Sequence, residues 1–247
     1  MKISIVTATY NSAKTIQHTI DSLLLQSYSD WEHIIIDGAS GDDTLTIVRQ
    51  NEPRYANRLR YISEKDDGIY NAINKGIDMA TGDVIGILNS DDILADNDVL
   101  QHIADTFEKT QAQVVYGDLV YCKGDTIVRY WKSNAFNYRQ LKFGWMPAHP
   151  TFYCCREVYD TLGHYDEHLH ISADYDFMLR TLTHNYHAVY LPKVLVKMQV
   201  GGISNRDLKS MRIKRSEDVY ALRHNHIGYG WLTIFVKNIR KIMQFLR

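Results

Sequence analysis

The residues of this 247-residue chain that could do chemistry gather at Asn89-Ser90-Asp91-Asp92, directly after the apolar run Val84–Leu88. A β-branched run of that length reads as a strand buried on both faces. Adjacent carboxylates at the C-terminal end of such a strand repel one another unless a positive charge sits against them. Ligand sites of open α/β sheets lie at that edge, and hard carboxylate oxygens suit Mg2+ or Mn2+. The first expectation is a divalent metal, anchored by Asp91 and Asp92, that holds a phosphorylated ligand. The same four residues also have the composition of a turn leading into a helix cap. The neighbouring elements must decide between the two.

Three β-α units precede this strand. Ile3–Ala8 reads as a buried strand ending in Thr9-Tyr10-Asn11, after which Ile16, Ile20, Leu23 and Leu24 keep helical spacing. His33–Ile36 is a second strand, closed by the polar stretch Asp37 to Asp43 and followed by a helix through Leu45, Ile47 and Val48. Arg60–Ile62 is a third, followed by Glu64-Lys65-Asp66-Asp67-Gly68 and a helix over Ile69–Ala80 that Thr81-Gly82 stops. Regular β-α spacing predicts a parallel sheet with crossover helices. It puts four polar strand ends on one edge, which favours a ligand site over a lone turn. No GxGxxG follows the first strand and no GxxxxGK[ST] occurs, which argues against dinucleotide-fold and P-loop chemistry.

Beyond Asp92 the pattern turns mixed. A helix is predicted from near Asp98 through Phe107, then a hairpin of Val114–Val120 and Thr126–Trp131 around Lys123-Gly124-Asp125. A loop holds Pro147, His149 and Pro150, a short helix covers Arg156–Leu162, and a longer one covers Ala173–Thr183. Val189–Leu191 and Val194–Val200 read as two short strands interrupted by Pro192.

The formal net charge of −1 hides an asymmetry. From Arg206 onward there are ten Lys/Arg against three Asp/Glu, a net of +7 that leaves −8 for the rest. The acidic part excludes a nucleic-acid binder, whereas the basic end suits an anionic surface. Three cysteines form neither a metal-ligand spacing nor a disulfide framework, which points to a reducing compartment. The N-terminal apolar run is too short for a signal peptide, and no stretch reaches the roughly 20 apolar residues of a membrane span. A cytoplasmic protein is expected.

The opening TATYN, Asp37-Gly38-Ala39-Ser40, SEKDDGIYNAINKGIDMATGDVIGILNSDD, and the later HPTFY and SADYDFMLR together resemble family 2 inverting glycosyltransferases of the GT-A fold. The likeness is strongest to bacterial enzymes that build surface polysaccharides of the colanic-acid type, and it spans residues 1–205. It implies an α/β, Rossmann-like, mixed but mostly parallel sheet flanked by helices. Residues 1–94 would form a nucleotide-binding half, 95–205 an acceptor-binding half and 206–247 a basic helical extension. The resemblance implies roles as well. Thr7, Ala8, Tyr10 and Asn11 would line the nucleotide pocket, and Asp37 would receive the base. Lys65, Asp66, Asp67 and Gly68 would approach the base or the pyrophosphate. Asn89, Ser90 and Asp91 occupy the DxD position, with Asp91 the leading metal ligand, Asp92 beside it, and Asn89 a departure from the family pattern. Asp174 matches the general base.

A sugar nucleotide leaves as a diphosphate, and a bound Mg2+ or Mn2+ can neutralise the charge that grows on it. An acceptor hydroxyl needs a base within hydrogen-bond reach. Asp174 sits in the first turn of a helix, where the dipole favours the ionised form, and Asp176 competes for the role. His149 and Asp176 are further candidates for contact with acceptor or diphosphate. Gln199-Val-Gly-Gly-Ile-Ser resembles the family's closing segment near the diphosphate. The expected partners are a nucleoside-diphosphate sugar and a glycan acceptor, lipid-linked if the enzyme works at the inner face of the cell membrane. The basic amphipathic stretch 229–247 suits an anionic membrane surface, its own domain or the second subunit of a homodimer. The competing functions are a sugar-phosphate nucleotidyltransferase, whose Gly-rich N-terminal signature TATYNSAK lacks, and a binding protein that has lost its activity.

Overall fold

In the computed structural model, which describes residues 1–200, 208–228, 230–231, 233–234 and 236–237, four parallel strands form the half of the sheet that the β-α spacing predicts. They are β1 (Ile3–Thr9), β2 (Trp31–Asp37), β3 (Leu59–Ser63) and β4 (Val84–Ile87), joined by helices α1 (Ile16–Leu24), α2 (Thr44–Asn51) and α3 (Ile69–Met79). Their spatial order is β3-β2-β1-β4. Thr9 pairs with Asp37, and Asp37 with Ser63, so the strand ends line up across the edge. Val6 pairs with Ile87, which brings Asn89 and Ser90 to the same edge.

The remaining elements are β5 (Asp92–Leu94), α4 (Val99–Thr110), β6 (Val114–Lys123), β7 (Thr126–Trp131), α5 (Tyr138–Leu141), β8 (Tyr153–Cys155), α6 (Arg156–Leu162), α7 (Ala173–Thr183), β9 (Ala188–Gln199) and α8 (Leu208–His224). They extend the sheet as β4-β8-β6-β9-β5, with β7 hairpinned onto β6. β8 runs antiparallel to both β4 and β6, which makes the sheet mixed.

Alternation along the strands divides the core. Val6, Ile34, Ile36, Ile85 and Ile87 face α3, α7 and α8. Ile3, Ile5, Ile35, Val84 and Leu88 face α1 and α4. Each fully buried aliphatic side chain stabilises by about 1.5–3 kcal/mol, so a strand buried on both faces is anchored from two sides. Gly86 has a steric reason for its place in β4: a Cβ there would lie 2.2 Å from a ring carbon of Tyr153.

Two elements differ from the sequence reading. Pro192 does not split the last strand, because β9 runs unbroken through it. The pairing of β6 with β9 shifts between Tyr116/Tyr190 and Asp118/Val194, a bulge that exposes Pro192 where no ladder N–H is needed. Asp92 lies in a strand, not a loop, since Asp92–Leu94 pairs with β9. Three-residue strands carry too little periodicity to stand out in sequence, which is also why β8 escapes it. Among the described residues, no helix is long and apolar enough to cross a membrane.

Candidate active site

The loop after β1 is built by hydrogen bonds to the loop after β2. Asn11 adopts a left-handed conformation (φ 50°). Its N–H donates to Ser40 Oγ (2.8 Å) and its side-chain oxygen accepts from Gly41 N–H (2.9 Å). Asp37 is fully buried and accepts from the Ser40 N–H (3.1 Å) and from the hydroxyls of Ser40 (2.5 Å) and Ser63 (2.6 Å). It ties the ends of β2 and β3 together and has no exposed surface for a ligand. Thr7 is likewise closed off, with its hydroxyl donated to the Leu88 carbonyl (2.7 Å) and 2.9 Å from His33 Nε2. Burial pushes the His33 imidazole down to about 3, so this pillar is neutral. Tyr10 and Asn11 are exposed, and Ala8 is partly so.

After β3, Lys75 of α3 bridges Asp66 and Glu64, both at 2.7 Å, and those two carboxylates raise its pKa. Lys65 and Asp67 are left exposed. Gly68 (φ 114°) turns the chain into α3, a backbone shape that L side chains avoid.

At the end of β4, Ser90 Oγ meets Ser12 Oγ at 2.9 Å, joining this loop to the first. Asn89 donates its amide to Asp92 Oδ2 at 2.7 Å. Asp92 is fully buried in β5, and its Oδ1 has no partner. Burial, then the Asp91 charge, push its carboxyl well above the usual range against the pull of the Asn89 bond. Of the two acids expected to hold a metal, Asp92 is therefore enclosed by protein and only Asp91 retains exposure. Desolvation raises the pKa of Asp91 too, and no cationic side chain among the described residues forms an ion pair with it. No group of three or more His, Cys, Asp or Glu among the described residues could cage a metal. Asp91 instead fits an ion that takes one carboxylate from the protein and its other ligands from phosphate oxygens.

Asp174 stands in the first turn of α7 and is partly exposed. The Tyr70 hydroxyl, at the start of α3, lies 3.3 Å from Asp174 Oδ1 and donates to the Ile171 carbonyl at 2.8 Å. Tyr70 stacks on Tyr165, whose hydroxyl meets His149 Nε2 at 2.8 Å. Burial lowers the His149 pKa, with Asp174 opposing it. A neutral imidazole, two tyrosines and the Asp174 carboxylate thus form one polar cluster.

Asp176 points elsewhere. It is 1% exposed and binds Arg180 (2.9 Å), His224 (3.2 Å) and Asn225 (2.9 Å), so it serves the joint between α7 and α8. Residues 201–204 of the expected closing segment, and most of the 229–247 stretch, lie outside the described residues. The contacts of Tyr70 with Asp174 and of Tyr165 with His149, and those of Glu217 with the backbone N–H groups of residues 170–172, are not legible in the sequence. Among 17 tyrosines none stands out, but Glu217-Asp218 is an acidic pair in an otherwise basic segment, a signal that could have been followed.

The chain matches the model of glycosyl transferase family 2 over residues 4–169. It is 31% identical over 215 residues to a PGL/p-HBAD biosynthesis glycosyltransferase of Mycobacterium bovis, covering 86% of this chain and 82% of that one. Staphylococcus aureus TarS 1–349, solved with UDP-GlcNAc, superposes with a TM-score of 0.72 at 20% identity, over 90% of this chain and 67% of that one. Mannosyltransferase PcManGT of Pyrobaculum calidifontis, solved with GDP-Man and Mn2+, gives 0.69 at 18% identity, over 95% and 68%. The chain belongs to glycosyl transferase family 2 and is a glycosyltransferase.

Proposed function

We propose that the donor nucleotide lies across the ends of β1 to β4, that Asp91 anchors a Mg2+ or Mn2+ at its diphosphate, and that Asp174 is the base. The observation that carries this is Asp91, a desolvated carboxylate without a cationic partner among the described residues, on the edge where four polar loops meet. The Pyrobaculum mannosyltransferase, solved in complex with GDP-Man and Mn2+, supports it. When bound, the cation neutralises charge on the departing diphosphate.

Ala8, Tyr10, Asn11 and Ser90 line the donor pocket, while Lys65, Asp67 and Gly68 flank it. Thr7 and Asp37 act from beneath, Thr7 as floor and Asp37 by fixing Ser40 and the end of β3. Asn89 acts through Asp92. Asp174 accepts the proton of the acceptor hydroxyl as that oxygen attacks the anomeric carbon. The bond from that carbon to the diphosphate oxygen breaks on the opposite face, which inverts the centre. His149 and Tyr165 border the acceptor side.

The acceptor belongs to surface-polysaccharide biosynthesis and is lipid-linked, presented where the basic stretch 229–247 meets an anionic membrane. Trp231, 69% exposed, supports this. Sedimentation with anionic vesicles, lost on Trp231→Ala, is the expected outcome.

Thermal shifts with UDP and GDP, in Mn2+ and in EDTA, test the donor site, because a ligand that binds only the folded state raises its stability. One nucleotide should stabilise the protein in Mn2+ only. Asp91→Asn should abolish that shift, and an equal shift in EDTA would remove the metal from the mechanism. Asp174→Asn should keep the shift and lose turnover by about 100-fold or more.

A further inference from the structure

Two acidic side chains of α8 hold the segment that leads into Asp174. Glu217, 8% exposed, accepts the backbone N–H groups of His170 (2.9 Å), Ile171 (2.8 Å) and Ser172 (2.9 Å). Asp218, 4% exposed, accepts the Ser172 hydroxyl at 2.8 Å and pairs with Lys237 at 2.9 Å. The Lys237 ammonium lies 3.4 Å from the ring centroid of Tyr175, the residue after Asp174.

Ser172 precedes the first residue of α7 yet makes no side-chain cap bond, since its hydroxyl is spent on Asp218. The first N–H groups at a helix start need partners from outside the helix, and here the preceding turn is also bound by another element. From the opposite side, Tyr70 of α3 donates to the Ile171 carbonyl. Ile171 is thus gripped at its N–H by α8 and at its C=O by α3, three residues before Asp174.

We propose that Glu217 and Asp218 are positioning residues for the Asp174 carboxylate, so that α8 is a working part of the active site. This rests on the reading of Asp174 as the base. A base displaced by about 1 Å can lose about 100-fold in rate while the donor still binds. Neither acid touches the donor loops, so their removal should spare donor affinity.

The test uses the full chain, with UDP-GlcNAc and GDP-mannose as donors and water standing in for the acceptor hydroxyl. Release of nucleoside diphosphate gives kcat and KM. Glu217→Gln should lower kcat by about 10–100-fold with the donor KM within about twofold. Asn225→Ala loosens the same helix at its other end, where Asn225 binds Asp176, and should leave kcat unchanged at a similar loss of Tm. An equal fall in kcat for Asn225→Ala would reduce the effect to general helix docking and overturn the proposal. If Asp174→Asn abolishes turnover while Glu217→Gln leaves kcat unchanged, the positioning role falls alone; if Asp174→Asn retains turnover, the base reading falls and takes this proposal with it. Deuterium exchange decides independently of turnover. The amides of His170, Ile171 and Ser172 should exchange at least tenfold faster in Glu217→Gln with the rest of α7 unchanged, and unaltered protection would overturn the proposal.

Discussion

Asn89, in the loop after β4, aims its amide at Asp92 and not at solvent. Among the described residues, that bond is the one hydrogen bond given to a carboxylate that is otherwise buried with an orphaned oxygen. Asn89→Asp should therefore destabilise the protein. It removes the donor and sets a second acid against Asp92. The sign of the pH dependence follows from the raised pKa of Asp92. A carboxyl whose folded pKa lies above its unfolded value favours the folded state at low pH and loses that advantage as pH rises through the folded pKa. Urea unfolding in EDTA should show the variant down by about 2–3 kcal/mol at pH 8 and nearly level with the parent at pH 4. A deficit independent of pH would mean that the Asn89–Asp92 pair is not its source.

At the scale of elements, β4 delivers Asn89 and Ser90 to the edge only because β8 can approach it. Tyr153 of β8 crosses Gly86 where a side chain would collide. Gly86→Ala should cost about 1–3 kcal/mol by overpacking, read as a lower urea midpoint at an unchanged m-value. It should also weaken the nucleotide-dependent thermal shift, because Leu88 and the loop behind it move with β4. Unchanged stability would mean that Tyr153 yields freely.

Across the whole molecule, the described residues of the basic C-terminal segment, as far as Lys237, are joined to the rest of the fold. Ala221, Leu222, Ile227 and Ile234 belong to the same core cluster as Phe177 and Leu179. The Thr233 hydroxyl donates to the Lys142 carbonyl at 2.9 Å, and Lys237 reaches Asp218. Burial lowers the Lys237 pKa, and Asp218 opposes the shift. Truncation before Trp231 should therefore lower Tm and turnover as well as vesicle binding. Loss of vesicle binding alone, with Tm and kcat intact, would return the segment to a purely peripheral role.

The sequence by itself determined the parallel β-α half and the edge on which its four polar ends lie. Those follow from local periodicity, since each strand carries its own apolar run and each loop its own turn residues. It also identified the family, through the contiguous stretch from Ser63 to Asp92. Only the tertiary structure decided which acids are open. Asp91 and Asp92 are neighbours of the same type, and a three-residue pairing with β9 puts one inside. Asp174 and Asp176 are likewise alike in sequence, yet 3.6 residues per turn send the second toward α8, where Arg180, His224 and Asn225 take it up. The grip of Glu217 on residues 170–172 spans more than 40 positions. Contacts of that range depend on how helices pack and leave no local pattern to read.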